Sequence, residues 1–400
     1  MVTNGRDSSP AATPEELFDP LSPQFIEDPY PTYHRLRTDD PVHWHEQLAS
    51  WVLSRYDDCL RVIEDSAGFA ADYRRAGIPA EPQTITVQTL DPPDQLPVRQ
   101  LLTEAFRAQG IPALREDLRQ FADRAIKDLL HHGAGDLVTD LTVPVTSYGI
   151  ARILGGDLSQ QEDFQDASRA VVRSMMAGVA PETEQPGLAA RARLSELIRQ
   201  AYEHQPDSGI LGYLRSRDAA ATVGTDLLMN SLRAVLLAGL NTGQRFLGNA
   251  AYALLRTPGA MAGFGRLAER GQATALHELL RFDTPFQAQE RVATIDTRLG
   301  TRRIPRGARV VVLFGAAHRD PAIFPNPDEL VLTRHPNPHF GFGRGTHACL
   351  GAALAFAEAR AVFTALAAAA PAIRIAGHVV REPNPTLRGL SSLPVEVAVG

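Results

Sequence analysis

The sequence predicts a mainly α-helical fold with small β-sheets. Three observations carry that prediction. Apolar residues recur at i, i+3, i+4 spacing through most of the stretch from Pro97 to about Ala367. The β-leaning runs are short and gathered in a few places. No Pro/Gly/Ser-rich linker divides the chain, so residues 21–400 are expected to form one domain behind a flexible, Ser- and Pro-bearing segment, 1–20.

The elements follow in order. Pro29–Arg37 and Asp57–Asp65 read as helices, and Val42–His45 and Trp51–Ser54 between them as strands. Tyr73–Leu90 holds two prolines and the run TITVQTL, a poor core segment and a plausible binding loop. Segments 112–132, 138–153, 160–177, 188–204 and 208–216 carry helical periodicity, and Gly178–Gly187 reads as a mobile connection. Asp226–Leu255 is the longest helical candidate, with a centre of small and apolar residues, LLAGLNTG. Strands are expected from Arg291 to Leu313, then an irregular stretch, Asp320–Pro338. A glycine-rich loop leads into the helix Ala352–Ala370, and strand-like pieces close the chain.

Composition excludes several classes of function. With 400 residues, 44% hydrophobic and 22% charged, a large core is available and wholesale disorder is not expected. A net charge of −6 argues against a general nucleic-acid binder. Two cysteines, Cys59 and Cys349, exclude a disulfide framework and a Cys-rich zinc or iron–sulfur site. No run of about 18 consecutive apolar residues predicts a membrane span. The first residues lack an apolar secretion core or a twin arginine, so a cytoplasmic location is expected.

Cys349 is the sharpest feature. It lies between a glycine-rich loop and the start of a helix, whose unpaired N–H groups stabilise a thiolate. Gly343, Gly345 and Gly351 would let backbone approach a bulky ligand closely. Three readings fit these residues: a metal ligand, a Cys–His nucleophile with His347, and a buried inert thiol.

The run Phe342-Gly343-Arg344-Gly345-Thr346-His347-Ala348-Cys349-Leu350-Gly351 resembles the cytochrome P450 signature at every fixed position. Glu278-Leu279-Leu280-Arg281, about 70 residues earlier, resembles that family's Glu-x-x-Arg, and Arg334 the third member of its ion-pair network. The stretch AAHRDPAIFPNPDEL and the early segments FIEDPYPTYHRLRTDDPVHW and WVLSRYDD are also similar to soluble bacterial members, so the likeness covers essentially the whole chain.

The resemblance implies the cytochrome P450 fold and a haem b cofactor, with Cys349 as axial thiolate. It implies that Arg99, Arg291 and His339 meet the haem carboxylates, while Phe342, Gly343 and Gly351 pack close to the ring. Gln95 stands where the family commonly has a histidine, which weakens one such contact. On the long helix, Ala238-Gly239-Leu240-Asn241-Thr242 matches the oxygen-activating motif. Gly239 is expected to leave room for dioxygen and Thr242 to hold a water. Asn241 replaces the usual acid; an amide cannot titrate, so proton delivery is expected to be slower or rerouted.

By position, the substrate is expected to meet Ile85, Val87, Gln88 and Leu90, Met175 and Met176, Leu236 and Leu240, Phe286 and Ala288, and Ser392 and Leu393. This is a mostly apolar pocket in which no charged clamp stands out. With no flavin fingerprint and no iron–sulfur cysteines, electrons should come from NAD(P)H through a separate ferredoxin and ferredoxin reductase. These would dock on Arg107, Arg115, Arg119, Arg344 and Arg360, with Phe356 replacing a commonly basic position.

The expected activity is a haem-thiolate monooxygenation, with O2, of a small or medium apolar metabolite, expected to belong to secondary metabolism. The alternatives are oxidative C–C or C–N coupling of indole- or phenol-bearing substrates, prompted by Asn241, and a non-catalytic haem ligand binder.

Overall fold

A computed structural model of the chain describes residues 17–156, 162–204, 208–370 and 372–397. Eight longer helices organise it: α1 Leu96–Ala108, α2 Ile111–His132, α3 Val143–Leu154, α4 Glu162–Ser174, α5 Glu184–His204, α6 Thr225–Arg256, α7 Glu269–Phe282 and α8 Ala352–Ala369. The central α6 runs for 32 residues and packs on α3, α5 and α8. Gly224, with φ of +86°, precedes its first turn, and Asp226 sits there, where a carboxylate favours the helix dipole.

Twelve short strands among the described residues form the β structure. The largest sheet orders β1 (Val42–His45), β2 (Ser50–Leu53), β8 (Arg309–Leu313), β5 (Ala288–Ala293) and β3 (Phe69–Ala70). Its β2–β8 pair is parallel, with Trp51 opposite Val310, and joins segments more than 250 residues apart. The N-terminal region and the segment that runs on toward Cys349 are thereby joined in one sheet. A three-stranded sheet of β4 (Ala134–Asp136), β12 (Pro394–Val397) and β9 (Ile373–Ile375) and two hairpins, β6 (Thr297–Leu299) with β7 (Arg302–Ile304) and β10 (Val380–Arg381) with β11 (Leu390–Ser392), complete it.

Two expectations need correction, those for the segment 1–20 and for the connection 178–187, and the loop expected at Tyr73–Leu90 is built of turns. Phe18 is buried against Phe25 and His45, so the packed chain already begins inside the segment 1–20; residues 1–16 lie outside the described ones. The run Thr84–Leu90 is not extended. It folds into turns, with Thr89 Oγ1 donating to the carbonyl of Thr84 and accepting from the amide of Thr86, because β-branched residues without a partner strand settle into local side-chain bonds. The connection expected at 178–187 is shorter, since α5 begins at Glu184 and takes in Pro186 and Gly187. Pro186 falls in the first turn, where a missing N–H costs nothing.

Helix α8 is long and apolar enough to cross a membrane by length and composition, with a mean hydropathy of 1.5. Here it lies in the core against α2, and Leu354, Val362, Phe363 and Leu366 are buried.

Candidate functional site: the cysteine loop and the helix facing it

Cys349 lies two residues before Gly351, the N-cap of α8. The loop ahead of it is closed by short bonds: Gly343 N donates to the carbonyl of Phe340 at 2.8 Å, and Cys349 N to that of Phe342 at 2.7 Å. Gly343 has φ of +67°, and a Cβ there would come 3.0 Å from the carbonyl oxygen of His347, so both conformation and space demand glycine. Burial pushes the Cys349 thiol up, while N–H groups of Gly351 and Ala352 and the Arg99 guanidinium pull the other way. Cys349 is nonetheless exposed, unlike Cys59, which is buried with its thiol on the carbonyl of Leu53 and is pushed well above its ordinary range. A thiol enclosed by protein yet open on one side suits a ligand; Cys59 is an inert core residue.

Two arginines and a neutral histidine flank this loop, and the Asp91 carboxylate faces Arg291 and His347. Arg99 on α1 donates to the carbonyl of Ala348. Arg291 on β5 is 3% exposed; it bonds the carbonyl of Glu290, its Nη2 has no protein partner, and desolvation lowers it to about 10. His339 is buried, with Nε2 2.8 Å from His277 Nδ1, and burial lowers it to about 3. A buried guanidinium with one unpartnered nitrogen, an accessible thiol and a glycine cradle fit a flat dianionic iron cofactor.

Two partners here escaped sequence reasoning. His347 bonds the Asp91 carboxylate at 2.9 Å, and Gln95 Nε2 reaches His347 Nδ1 at 3.3 Å and the carbonyl of Val87 at 3.0 Å. Gln95 therefore ties the cysteine loop to the loop 82–90. The position was visible in the sequence as a departure; its partner 252 residues away was not.

The structural anchor is Glu278. Its carboxylate accepts from Arg281 Nε and Nη2 at 2.7 and 2.9 Å, from Arg334 Nε at 3.0 and 3.1 Å, and from the Val331 amide at 2.9 Å. Arg281 and Arg334 then bond carbonyls of His318, Pro327 and Pro325, which fixes the irregular stretch before the cysteine loop.

On α6, Thr242 Oγ1 donates to the carbonyl of Ala238 at 2.7 Å. Asn241 is bonded on both sides: Nδ2 to Ser168 Oγ of α4 at 3.2 Å and to the Leu237 carbonyl, and Oδ1 from Arg245 at 3.2 Å. Arg245 in turn pairs with Glu382. Asn241 thus pins α4 to α6. Gly239 departs from expectation: a Cβ there would lie 2.2 Å from Ile150 Cδ1, so the room it leaves is taken by α3. It is a helix-approach glycine.

Nearby, sequence reading missed Glu358. It is buried between α8, α3 and α6, its Oε1 has no protein partner, and Gly149 and Gly243 make its space. Desolvation pushes its carboxyl well above the ordinary 4.5. The folded chain then keeps a proton that the unfolded chain releases above its ordinary value. Stability must fall as pH rises from there to the folded value, by about 1.4 kcal/mol per unit. Glu358→Gln removes this term, so the variant is expected to gain on the parent protein between about pH 5 and 8 in urea denaturation. A parent-minus-variant difference flat in pH would show the carboxylate to be ionised in the fold.

The expected substrate residues do not all converge. Val87, Leu236, Leu240 and Leu393 are buried in the main core with Ile85 against it. Gln88 is exposed and Met175 is 36% exposed, so both face outward; Met176 is only half-buried. Phe286 packs on Phe314 beside the large sheet, and Ala288 lies with the N-terminal cluster around Tyr33.

Comparison with known proteins agrees with this geometry. The family model described as Cytochrome P450 matches residues 273–367. Vitamin D(3) 25-hydroxylase of Pseudonocardia autotrophica is 30% identical over 405 residues, which covers 96% of this chain and 97% of the relative. The chain belongs to the cytochrome P450 family. Cytochrome P450 monooxygenase PikC of Streptomyces venezuelae is 29% identical, covering 94% and 92%. Among solved structures, ligand-free CYP164A2 of Mycobacterium smegmatis matches with a TM-score of 0.80 at 30% identity, covering 94% of this chain and 98% of that one. CalO2 matches with a TM-score of 0.83 at 28%, covering 95% and 98%. This P450 is thus an oxidoreductase of the haem-thiolate class, with the fold expected of it.

Proposed function

We propose that this P450 is a cytoplasmic monooxygenase that oxidises a small or medium apolar metabolite of secondary metabolism, taking electrons from a ferredoxin and its reductase. The observation that carries it is the accessible Cys349 thiol held by the N–H groups of Gly351 and Ala352 at the head of α8. Relatives named for polyketide biosynthesis and biotin biosynthesis, both from Bacillus subtilis, support the metabolic setting.

Cys349 would ligate the iron; Arg99, Arg291 and His339 would meet the carboxylates; Phe342, Gly343 and Gly351 would pack on the ring. Haem with a thiolate ligand supplies dioxygen activation, since thiolate donation favours O–O cleavage. The chain's own residues do the rest. Glu278, Arg281 and Arg334 hold the loop in place. Leu236 and Leu240 present an apolar wall that excludes water and orients the substrate. Thr242 is the hydroxyl that can turn from the Ala238 carbonyl and pass a proton. The experiment is the spectrum of the reduced, CO-bound protein, with product formation using a surrogate ferredoxin pair. A spectrum without the red-shifted thiolate band, or no oxidised product from any metabolite that binds, would overturn the reading.

The proposed docking face carries its own acids. Arg119 bonds Glu116 and Asp123, and Arg115 and Arg360 share Glu269, leaving Arg107 and Arg344 outside those pairs. Phe356 packs on His277 and Phe342. Electron transfer is therefore expected to depend only weakly on salt, changing less than about threefold between 50 and 300 mM, because steering needs unpaired charge. Stopped-flow reduction at varied ionic strength reads this directly, and a tenfold fall would contradict it.

Oxidative coupling is the second reading, favoured by Asn241, whose amide is fully bonded and cannot titrate. Oxygen-18 gas separates the two: monooxygenation labels the product, and coupling does not.

A further inference from the structure

Above α6, two arginines lie together with no acid between them. Arg233 is 3% exposed. Its Nη1 donates to Ser195 Oγ, Asn230 Oδ1 and the carbonyl of Arg191 at 2.5, 3.0 and 3.0 Å, and its Nη2 to the carbonyl of Gln83 at 2.6 Å. All four acceptors are neutral. Arg191 on α5 is half-buried, and its Nη1 flanks Gly187, where a Cβ would meet both that nitrogen at 3.2 Å and Ser174 Cβ at 2.1 Å. Among the described residues no carboxylate forms an ion pair with either guanidinium. Burial weakens both charges, and Arg233 falls to about 10, with Arg191 adding to the effect. An uncompensated pair of cations at the edge of a core is costly unless something outside the chain supplies the anion.

The position says what that anion belongs to. Arg233 sits in a cluster that holds the loop 82–90 to α6: Asn230 Nδ2 bonds the carbonyl of Pro82 at 3.1 Å, and the Val87 amide bonds Ser231 Oγ at 2.9 Å. Arg191 lies where Ser174, the end of α4, meets Gly187 in the first turns of α5. Below these elements Val87, Leu236 and Leu240 form an apolar wall.

We infer that the substrate of this P450 is an amphipathic carboxylic acid, whose apolar body lies along Val87, Leu236 and Leu240 and whose carboxylate pairs with Arg191 at the junction of α4 and α5. Arg233 is a positioning residue that sets the loop 82–90 and adds field without touching the acid. This inference rests on the proposed reading that the chain oxidises an organic substrate bound over α6. A planar guanidinium suits a carboxylate through two parallel N–H bonds, which lysine cannot reproduce.

Isothermal titration of the holoprotein with dodecanoate and with dodecanamide tests the pairing without turnover. The wild type is expected to bind the acid at least about tenfold more tightly than the neutral amide. Arg191→Gln is expected to erase that preference while leaving amide affinity within about twofold, and Arg191→Lys to keep part of it. Equal affinity for acid and amide, no binding of the acid, or a preference surviving Arg191→Gln would overturn the inference. The CO spectrum of the same preparations keeps the two ideas apart: an intact thiolate band with no acid preference rejects the carboxylate site and leaves the monooxygenase standing. Loss of the band rejects the monooxygenase.

Discussion

Glutamine in place of Glu278 is expected to destabilise the protein by about 3–5 kcal/mol, the range for removing one partner of a buried ion pair. Glu278 and Arg281 are fully buried and Arg334 nearly so. One carboxylate serves both guanidinium groups, and desolvation already works against Arg281, the opposing pull coming from Glu278. The amide keeps the shape but loses the charge and one acceptor, so two buried cations remain without an anion. The effect should reach the cysteine loop, because Arg334 and Arg281 hold the backbone between Pro325 and Val331. Urea denaturation, followed together with haem content, measures it. A loss under about 1 kcal/mol would mean that the arginines are satisfied by carbonyls alone.

Serine in place of Cys349 is expected to abolish the red-shifted band of the reduced CO complex and to lower reductant-driven turnover by at least about a thousandfold, since enzymatic accelerations of that order rest on the ligand that pushes electron density to iron. The substitution is nearly isosteric, and the loop bonds of Gly343 and Cys349 use backbone atoms, so the fold should persist. Retained turnover in Cys349→Ser with an unshifted band would place the iron elsewhere. The pairing of this result with Glu278→Gln is informative: one removes chemistry at constant stability, the other stability at constant ligand.

Much of the site was legible because its residues are close in sequence or follow a rigid spacing. The cysteine loop needs glycine at 343 for φ and contact alike, and both causes act within five residues. Glu278 and Arg281 share a helix face, as i, i+3 residues must. Strand Val42–His45 and helices 111–132 and 225–256 follow from periodicity, with ends shifted by a residue or two.

What escaped was decided between elements. Gly239 reads as space for a ligand until Ile150 of α3 is found filling it. Asn241 reads as a missing acid, while the fold makes it a bolt between α4 and α6. Gln88 and Met175 fall in the right loops and face outward, since a loop's side-chain directions follow from what it packs on. Glu358 is one acidic letter in an alanine-rich helix, and only the closure of α3 and α6 over it removes its water. Arg191 and Arg233, 42 positions apart, look like solvated charges until the chain brings them together without a carboxylate. Sequence order specified the local geometry and the ligand-bearing loop, because those depend on backbone conformation and short spacing. The electrostatic character of the pocket came from packing, because burial and the absence of a counter-charge are properties of neighbours distant along the chain.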